Sequence, residues 1–383
     1  MLFDPPSHER LTETPWDETR ARAAIAEIVA DAEEAFDART LWPVHPLDEV
    51  EEGTPPLSGL YLGASGVIWA LAELGHPRPE TAVELCDRYL AEPDESDAPI
   101  PSLLDGEAGI LLVAHGLAPA AWQEERLLAA VEANATNPTR ELLWGSPGTM
   151  LAAAVMHERT GDERWAEAWR RSAEWLWNEW RDEVWEQEIE KGGRRRFLGP
   201  AHGFAGNVYV LARGTLLDPD RRAQLERRAI DVTAAHAQRE DDLAQWPPQL
   251  DRSDPVRTQW CHGAPGMVAS LAQIAPDDDG LTELLVAGGE LTWHAGPLAK
   301  GAGLCHGTAG NGYAFLKLLE RTGDELWLDR ARAFATHAIE QVERARREHG
   351  RGRYALFTGD VGAALYLRSC IAADAAFPTL DVW

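Results

Sequence analysis

Cysteines and histidines occupy one repeated position in the second half of this 383-residue chain. His202, Cys261-His262 and Cys305-His306 each lie directly before the first glycine of a Gly-x-x-Gly sequence. Two thiolates and one imidazole form a set of soft and borderline donors that suits Zn²⁺. Three protein ligands leave a fourth coordination position open, and open zinc sites are typically catalytic rather than structural. We therefore predict that Cys261, Cys305 and one histidine bind zinc.

A structural explanation of the same residues competes with the metal site. Cys261 and Cys305 could be small buried apolar residues, and the histidines could cap helices. Three consecutive repeats with polar residues in the same position argue against that explanation. Cys86 and Cys370 lie outside the pattern, and four cysteines in a chain of this length do not form a disulfide framework.

The elements that must position these residues are marked by seven Gly-x-x-Gly pairs whose first glycines are 39 to 60 residues apart. An apolar stretch of helical character follows each pair, and charged amphipathic stretches lie between them, which indicates inner and outer helices. The pairs are Gly63/Gly66, Gly106/Gly109, Gly145/Gly148, Gly203/Gly206, Gly263/Gly266, Gly307/Gly310 and Gly359/Gly362.

Seven hairpins of alternating inner and outer helices predict an all-α fold, an (α/α)7 toroid in which a glycine pair opens each inner helix. Residues in the same position of successive repeats then lie at the same end of the ring, so the cysteines and histidines converge. We expect one domain over 1–383, with a helical lead-in over 1–56 and the seven repeats over 57–383. The segments 182–197 and 239–258 are predicted to be rim loops over the opening.

The charge balance limits the classes of partner. Acidic residues number 63 against 36 basic ones, which gives a formal net charge of −27, and only three of the basic residues are lysines. A field of that sign repels phosphate backbones, so we expect no nucleic-acid partner. An acidic surface poor in lysine also fits a cytoplasm of high salt, where ions screen the self-repulsion, and a GC-rich genome is the competing explanation for the arginines.

Targeting signals are absent from the sequence pattern. The N-terminus has no basic region followed by an apolar one, so we expect no signal peptide. No apolar run approaches the roughly 20 residues that a membrane span needs. We therefore expect a cytoplasmic protein without a membrane span, and we expect it to be a monomer.

The motifs resemble those of the lanthionine synthetase C-like family across roughly residues 57–383. The resemblance rests on segments around the glycine pairs, and several details are closer to the eukaryotic-type branch than to the lantibiotic cyclases. The segments are Ala201-His-Gly-Phe-Ala-Gly-Asn, Trp260-Cys-His-Gly-Ala-Pro-Gly-Met, Gly303-Leu-Cys-His-Gly-Thr-Ala-Gly-Asn, Glu141-Leu-Leu-Trp-Gly and Phe377-Pro-Thr-Leu-Asp.

The resemblance implies roles for particular residues. It implies an (α/α)7 toroid with zinc held by Cys261, Cys305 and His306. It also implies that His202 acts as an acid/base residue across the cavity from the metal. Glu141 stands where this branch tends to carry glutamate, and could orient His202, accept a proton, or merely cap a helix.

Basic residues complete the implied site. Arg257 resembles a basic residue that lines the cyclase cavity, and Lys300 matches a lysine that contacts the carboxylate of the thiol ligand in glutathione-binding relatives. His262 replaces a tyrosine that is common in the cyclases, and we assign it with Lys300 to substrate or thiol binding. Arg353, shortly before Gly359, could add positive charge at the cavity mouth.

The function that the resemblance implies is the zinc-dependent addition of a thiol to dehydroalanine or dehydrobutyrine in a peptide, which forms a thioether. The thiol could be a peptide cysteine or a small thiol such as glutathione, and the substrate could begin as a phosphorylated peptide. His202 would protonate the α-carbon, and Arg257 would stabilise the enolate oxygen.

Two other functions compete with thiol addition. A non-catalytic zinc-containing scaffold that binds peptides or thiols is the alternative, although it would need no acid/base residue such as His202. An α/α-toroid glycosidase needs paired carboxylates, for which Asp105, Glu107 and Glu141 are candidates, but it leaves the cysteines and histidines unexplained.

Overall fold

Helices dominate the structure, a computed structural model that describes residues 1–48, 56–94, 96–189 and 192–383. These residues form fourteen α-helices and two short β-hairpins, numbered here in chain order. Residues 49–55 of the predicted lead-in and residues 190–191 of the predicted first rim loop lie outside the described residues. In the part of the chain that the structure describes, no helix is both long and apolar enough to cross a membrane.

Seven helices form a closed inner ring. Most of their residues are buried, because they are apolar nearly all round and have no face suited to water. Each inner helix contacts the next one along the chain, and the last contacts the first, which closes the ring. They are α2 (Ala64–Glu73), α4 (Glu107–Leu117), α6 (Ser146–Thr160), α8 (Phe204–Ala212), α10 (Ala264–Leu271), α12 (Thr308–Thr322) and α14 (Asp360–Ala372).

Outer helices surround this ring. In Glu163–Glu179, for example, Trp165, Trp169 and Leu176 lie on the buried face while the arginines and glutamates face solvent. The outer helices are α3 (Pro79–Ala91), α5 (Ala121–Asn134), α7 (Glu163–Glu179), α9 (Pro219–Ala235), α11 (Asp279–Ala295) and α13 (Leu326–His349). The predicted (α/α) toroid is confirmed.

The N-terminal helix fills the place that the sequence leaves without an outer helix. No outer helix is described after α14. Instead α1 (Glu18–Glu34) packs against α14 and α13, so a helix from the start of the chain covers the last inner helix. The segment predicted as a lead-in therefore contributes part of the outer layer.

The glycine pairs act at the starts of the inner helices. The first glycine of every pair is the residue immediately before an inner helix. The second glycine lies against the carbonyl of the residue six positions earlier, where a Cβ would come within 1.7–2.3 Å of that oxygen in all seven repeats. The glycines therefore let each helix begin directly against its own preceding loop.

The preceding loops are joined to one another by backbone hydrogen bonds at one end of the ring. Neighbouring loops are linked at six of the seven junctions in the described chain, mostly through the residue two positions before the first glycine. The bonds run from Tyr61 N to Leu104 O, Leu104 N to Leu143 O, Leu142 N to Ala201 O, Cys261 N to Cys305 O, Cys305 N to Phe357 O and Phe357 N to Tyr61 O, over 2.8–3.4 Å.

The two excursions form hairpins rather than plain loops. Strands β1 (Gln187–Ile189) and β2 (Gly193–Arg195) pair antiparallel within 182–197, as do β3 (Gln238–Glu240) and β4 (Leu243–Gln245) at the start of the second excursion. A bridge between Phe197 and Gln249 connects the two excursions. They reach the same end of the ring as the joined loops, because Phe197 lies 5.8 Å from the rings of both His202 and His262.

The segment after α14 returns into the interior of the ring. Phe377 stacks on Trp260 at 5.0 Å and lies 4.9 Å from Tyr313 of α12. Asp381 accepts hydrogen bonds from the Tyr209 hydroxyl of α8 and pairs with Lys317 of α12 at 3.0 Å. This segment therefore fills the space beneath the loops that carry the candidate site.

Candidate metal centre

Cys261, Cys305 and His306 come together where the loops before α10 and α12 meet. Their ligand atoms all lie within 4.8 Å of one another. The backbone N–H of Cys261 donates to the carbonyl of Cys305 at 3.2 Å, which fixes the two loops side by side. Gly263 has φ of +104° and packs against the Arg257 carbonyl, so only glycine suits that turn. Both cysteines are buried free thiols, and His306 is partly exposed.

The two thiols shift each other's pKa in opposite directions. A hydrogen bond from the Cys305 thiol, outweighing burial and assisted by His306, lowers the pKa of Cys261 well below its ordinary value. The same bond and burial raise the pKa of Cys305. Gln259 Nε2 donates to Cys261 Sγ at 2.9 Å, and the Tyr61 side chain is hydrogen-bonded to Cys305, which together with burial raises the pKa of Tyr61. The hydrogen bonds from Gln259 and Tyr61 therefore favour thiolates at Cys261 and Cys305.

This donor set fits Zn²⁺. Zinc binds Cys sulfur at about 2.3 Å and His nitrogen at about 2.0–2.1 Å, so one ion joins ligand atoms separated by this spacing. The two thiols are adjacent and buried, and they form no disulfide. A polar group lies beside each sulfur, Gln259 at Cys261 and Tyr61 at Cys305. Such hydrogen bonds orient thiolate ligands of a metal. Among the described residues, the cluster takes His306 as its histidine and leaves out His202 and His262.

His202 forms a separate pair with Glu141. The His202 Nδ1 lies 3.1 Å from Glu141 Oε2, and the His202 side chain is 26% exposed while that of Glu141 is 4% exposed. Burial by itself lowers the pKa of His202, but the hydrogen bond and the charge of Glu141 outweigh it and raise that pKa above 6.5. The pair therefore favours the protonated form of an imidazole that is partly open to solvent.

Glu141 also shapes the turn before α6. It accepts hydrogen bonds from the backbone N–H groups of Leu143, Trp144 and Gly145 at 3.2, 2.6 and 3.2 Å. Glu141 thus contacts His202 and holds the turn before α6, and these bonds go to loop N–H groups rather than to the first N–H groups of the helix.

His262 lies apart from the cluster although it follows Cys261. It is buried and stacks on His202 with ring centroids 5.4 Å apart. Burial lowers the pKa of His262 to about 4, and the charge of Arg257 contributes to that lowering. The structure thus places His262 in the wall beside His202, whereas the side chain of Arg257 is exposed at the rim.

A cavity of about 470 Å³ opens beside the cluster. Lys300, His306, Arg353 and Tyr61 are among its lining residues. Lys300 is exposed. Arg353 forms an ion pair with Asp48 at 2.7 Å, and both side chains are largely buried. The charge of Arg353 is therefore already balanced by that of Asp48.

The carboxylates that a glycosidase would need are engaged in other contacts. Glu107 Oε2 accepts a hydrogen bond from Arg126 of the outer helix α5 at 2.6 Å, and Asp105 accepts one from the Trp144 indole at 2.9 Å. Together with the contacts of Glu141, this arrangement leaves no acid/base pair of carboxylates among these three residues.

Three residues that contact the candidate site residues are not among those predicted from the sequence. Tyr61 occupies the same repeat position as Cys261 and Cys305, so the register signal could have identified it. Gln259 and Asp48 carry no such signal, since one lies in an irregular loop and the other lies about 300 residues from its partner Arg353.

Comparisons with known proteins give a consistent result. The family model described as "Lanthionine synthetase C-like protein" matches residues 54–382. The chain is 34% identical over 197 residues to "LanC-like protein GCL1" of Arabidopsis thaliana, covering 49% of this chain and 44% of that protein. It is 32% identical over 194 residues to "Glutathione S-transferase LANCL1" of Danio rerio, covering 49% and 47%. The chain thus spans about half the length of these curated relatives.

The fold of one solved structure is similar over nearly the whole chain. A structure named "Nisin cyclase" superimposes with a TM-score of 0.65 and 16% identity, covering 94% of this chain and 99% of that one. At this level of identity, the likeness concerns the fold alone.

Proposed function

This chain belongs to the lanthionine synthetase C-like family, and on that premise we propose that it adds a thiol to the β-carbon of dehydroalanine or dehydrobutyrine in a peptide. The observation that carries the proposal is the combination of a soft-donor cluster with a separate acid/base pair. Cys261, Cys305 and His306 form the cluster, and His202 with Glu141 forms the pair.

We propose that Cys261, Cys305 and His306 hold Zn²⁺. When bound, the metal would supply the positive charge that keeps a thiol deprotonated at neutral pH, where a free thiol with a pKa near 8.5 is mostly protonated. Gln259 and Tyr61 donate hydrogen bonds to the two cysteine sulfurs and so keep them oriented as ligands.

The protein's own residues handle the proton. As the thiolate sulfur forms a bond to the β-carbon, the double-bond electrons move to the carbonyl and form an enolate. His202, kept protonated by Glu141, then delivers its proton to the α-carbon. Arg257 is proposed to stabilise the enolate oxygen from the rim, and its charge is already felt at His262.

A small anionic thiol is the preferred nucleophile. Lys300 is exposed in the cavity next to His306 and suits the carboxylate of glutathione or a similar thiol. The name of the zebrafish relative, a glutathione S-transferase, supports the same choice. Arg353 and His262 remain proposed contributors to substrate binding, and a peptide cysteine that closes a ring is the other thiol to test.

The test uses zinc-loaded protein, a dehydroalanine peptide and either glutathione or a cysteine within the peptide, with products detected by mass spectrometry. We expect a thioether adduct, together with one bound zinc per chain. Failure to form an adduct with either thiol while zinc is bound would contradict the proposal. A phosphoserine peptide in the same assay shows whether phosphate elimination precedes addition.

Metal binding has its own matched control. Cys305→Ser is expected to lose both zinc and adduct formation, because it removes one of three ligands. Cys86→Ser changes a buried cysteine outside the cluster and is expected to keep both. Equal zinc content in the two variants, measured by mass spectrometry of the metal, would overturn the ligand assignment.

A scaffold without turnover is distinguished by His202→Ala. Loss of adduct formation with zinc and peptide binding retained supports the enzyme, whereas a scaffold would show no difference from the wild type in any of these measurements.

We propose one domain over 1–383, a monomer, a cytoplasmic location and adaptation to high salt. Light scattering at low and high salt tests the oligomeric state and the salt dependence.

A further inference from the structure

Trp144 is an unusual tryptophan in this protein. All 16 tryptophans lie in the part of the chain that the structure describes, and among them only Trp122 and Trp144 are exposed, at 41% and 44%. Trp122 lies on outer helix α5, whereas Trp144 occupies the repeat position directly before the first glycine, the same position as His202 and His306. An indole at the mouth of the ring that stays open to solvent needs an explanation, because burying an aromatic ring is strongly favourable.

The indole is exposed but not loose. Its Nε1 donates to Asp105 at 2.9 Å, and the Trp144 backbone N–H donates to Glu141 at 2.6 Å. The Trp144 carbonyl accepts hydrogen bonds from Asn134 and Asn137, each at 3.1 Å. The ring is therefore held in place before any ligand arrives, and a preorganised side chain loses little entropy on binding.

The exposed ring lies beside the proposed proton donor. The Trp144 and His202 ring centroids are 5.8 Å apart, and Glu141 contacts both residues. On another side of His202, Phe197 lies 5.8 Å away and is partly exposed. His202 is thus bordered by aromatic surface rather than by charged side chains at these two positions.

From this arrangement we propose that Trp144 is a specificity-determining residue, which binds an aromatic or aliphatic side chain adjacent to the reacting residue of the peptide. Consecutive Cα atoms are 3.8 Å apart, so when the reacting α-carbon is at His202 the neighbouring side chain lies within reach of the indole. Offset or edge-to-face aromatic contacts form with centroids about 4.5–7 Å apart. Phe197, whose ring centroid also lies 5.8 Å from that of His202, offers a second apolar contact.

This inference rests on the proposed function, but its test does not need turnover. The probes are two unreactive peptides, Ala-Phe-Ser-Phe-Ala and Ala-Gly-Ser-Gly-Ala, in which serine replaces the dehydroamino acid and both neighbours are changed together. Titration calorimetry on the full chain measures binding. We expect the wild type to bind the phenylalanine peptide about tenfold more tightly, the size of one good aromatic contact.

Variants assign that preference to one ring. Trp144→Ala is expected to bind both peptides equally, and Trp144→Phe is expected to keep most of the preference because it retains an aromatic face. Trp122→Ala removes the other exposed indole and is expected to leave the preference unchanged. Circular dichroism melts establish that each variant is folded.

Three outcomes overturn the proposal. They are equal wild-type affinity for the two peptides, a preference that survives in Trp144→Ala, or tighter binding of an arginine-flanked peptide, Ala-Arg-Ser-Arg-Ala, which would make Trp144 a cation-binding residue. A preference for phenylalanine with no adduct formation from any dehydroalanine peptide would support the contact and contradict the proposed reaction, so the two failures are distinguishable.

Discussion

Glu141 connects the backbone of the loop before α6 to the proton on His202. One carboxylate accepts bonds from three backbone N–H groups and from the imidazole. The charge of Glu141 raises the pKa of His202. The pair therefore stabilises the folded protein fully below the unfolded pKa of about 6.5, and this contribution is lost as the pH rises through the higher folded value.

Glu141→Gln is expected to lower the pKa of His202, because the amide keeps an oxygen for the backbone but removes the charge. Histidine NMR titration measures that pKa directly. If His202 donates the proton, the high-pH limb of the rate profile moves to lower pH by the same amount. Glu107→Gln, which alters a buried carboxylate paired with Arg126, is the control, and an equal His202 pKa in both variants would contradict the assignment.

At the scale of the element, each inner helix depends on a close approach at its start. Gly310 is the tightest case, since a Cβ would lie 1.7 Å from the Leu304 carbonyl, one residue before Cys305. The loop that carries Cys305, a proposed zinc ligand, is thus held against the helix that follows it. A substitution at Gly310 should therefore disturb both helix α12 and the position of Cys305.

Gly310→Ala is expected to destabilise the protein by about 3 kcal/mol or more, because the loop must move to admit a methyl group, and to weaken zinc binding as Cys305 shifts. Gly280→Ala is the matched control. Gly280 lies in outer helix α11, where a Cβ meets its nearest atom at 3.5 Å, so alanine should stabilise the helix slightly. Urea unfolding of both variants tests this, and similar midpoints would refute the packing argument.

At the scale of the whole molecule, a buried ion pair holds the last residues inside the ring. Lys317 is 2% exposed and pairs with Asp381, which also accepts bonds from the Tyr209 hydroxyl and the Phe377 N–H at 2.8 and 2.7 Å. Phe377 in turn stacks on Trp260, the neighbour of Cys261. The loop that carries Cys261, a proposed zinc ligand, is therefore supported by residues from the far end of the chain.

Lys317→Met is expected to cost about 3–5 kcal/mol of unfolding free energy, since it leaves the Asp381 carboxylate largely buried without its cation. The double variant Lys317→Met/Asp381→Asn should be more stable than the sum of the single changes predicts, because it removes both charges. Lys300→Met, at an exposed lysine, is expected to leave stability nearly unchanged. Strictly additive effects in urea unfolding would show that the pair does not interact.

Asp360 at the start of α14 is a buried carboxyl group that should make the stability depend on pH. Asp360 lies where α1, α13 and α14 meet, near Asp31, Arg346 and Arg353. Burial raises the pKa of Asp360 to about 7, although the hydrogen bond from the Arg353 N–H lowers it. Asp31 raises this pKa and the two arginines lower it. Because the folded pKa lies above the unfolded value of about 3.8, the folded state holds the proton more tightly between these values.

The free energy of unfolding should therefore fall as the pH rises from about 4 to about 7 through this group, and the contribution should level off above pH 7. Asp360→Asn removes the titration, so its stability should decline less over the same range than that of the wild type. Urea unfolding between pH 4.5 and 8 compares the two slopes, and parallel curves would rule out Asp360 as the source.

The fold and part of the candidate site could be predicted because the glycine pairs repeat along the sequence. Cys261 and Cys305 could be identified as converging residues because equivalent positions in a closed ring lie at the same end. The toroid itself followed from seven glycine pairs, each of which carries a steric requirement that no other residue meets. These properties are local, so the order of amino acids by itself determined them.

Other features arose only when the ring closed. His262 and His306 occupy the same repeat position, directly before the first glycine, so the sequence could not decide that His306 joins the cluster while His262 stacks on His202. The pairing of Asp48 with Arg353 and the packing of α1 on α14 join the two ends of the chain. Neither has a local signal, because contacts between distant residues depend on the three-dimensional path of the chain, which only the tertiary structure decided.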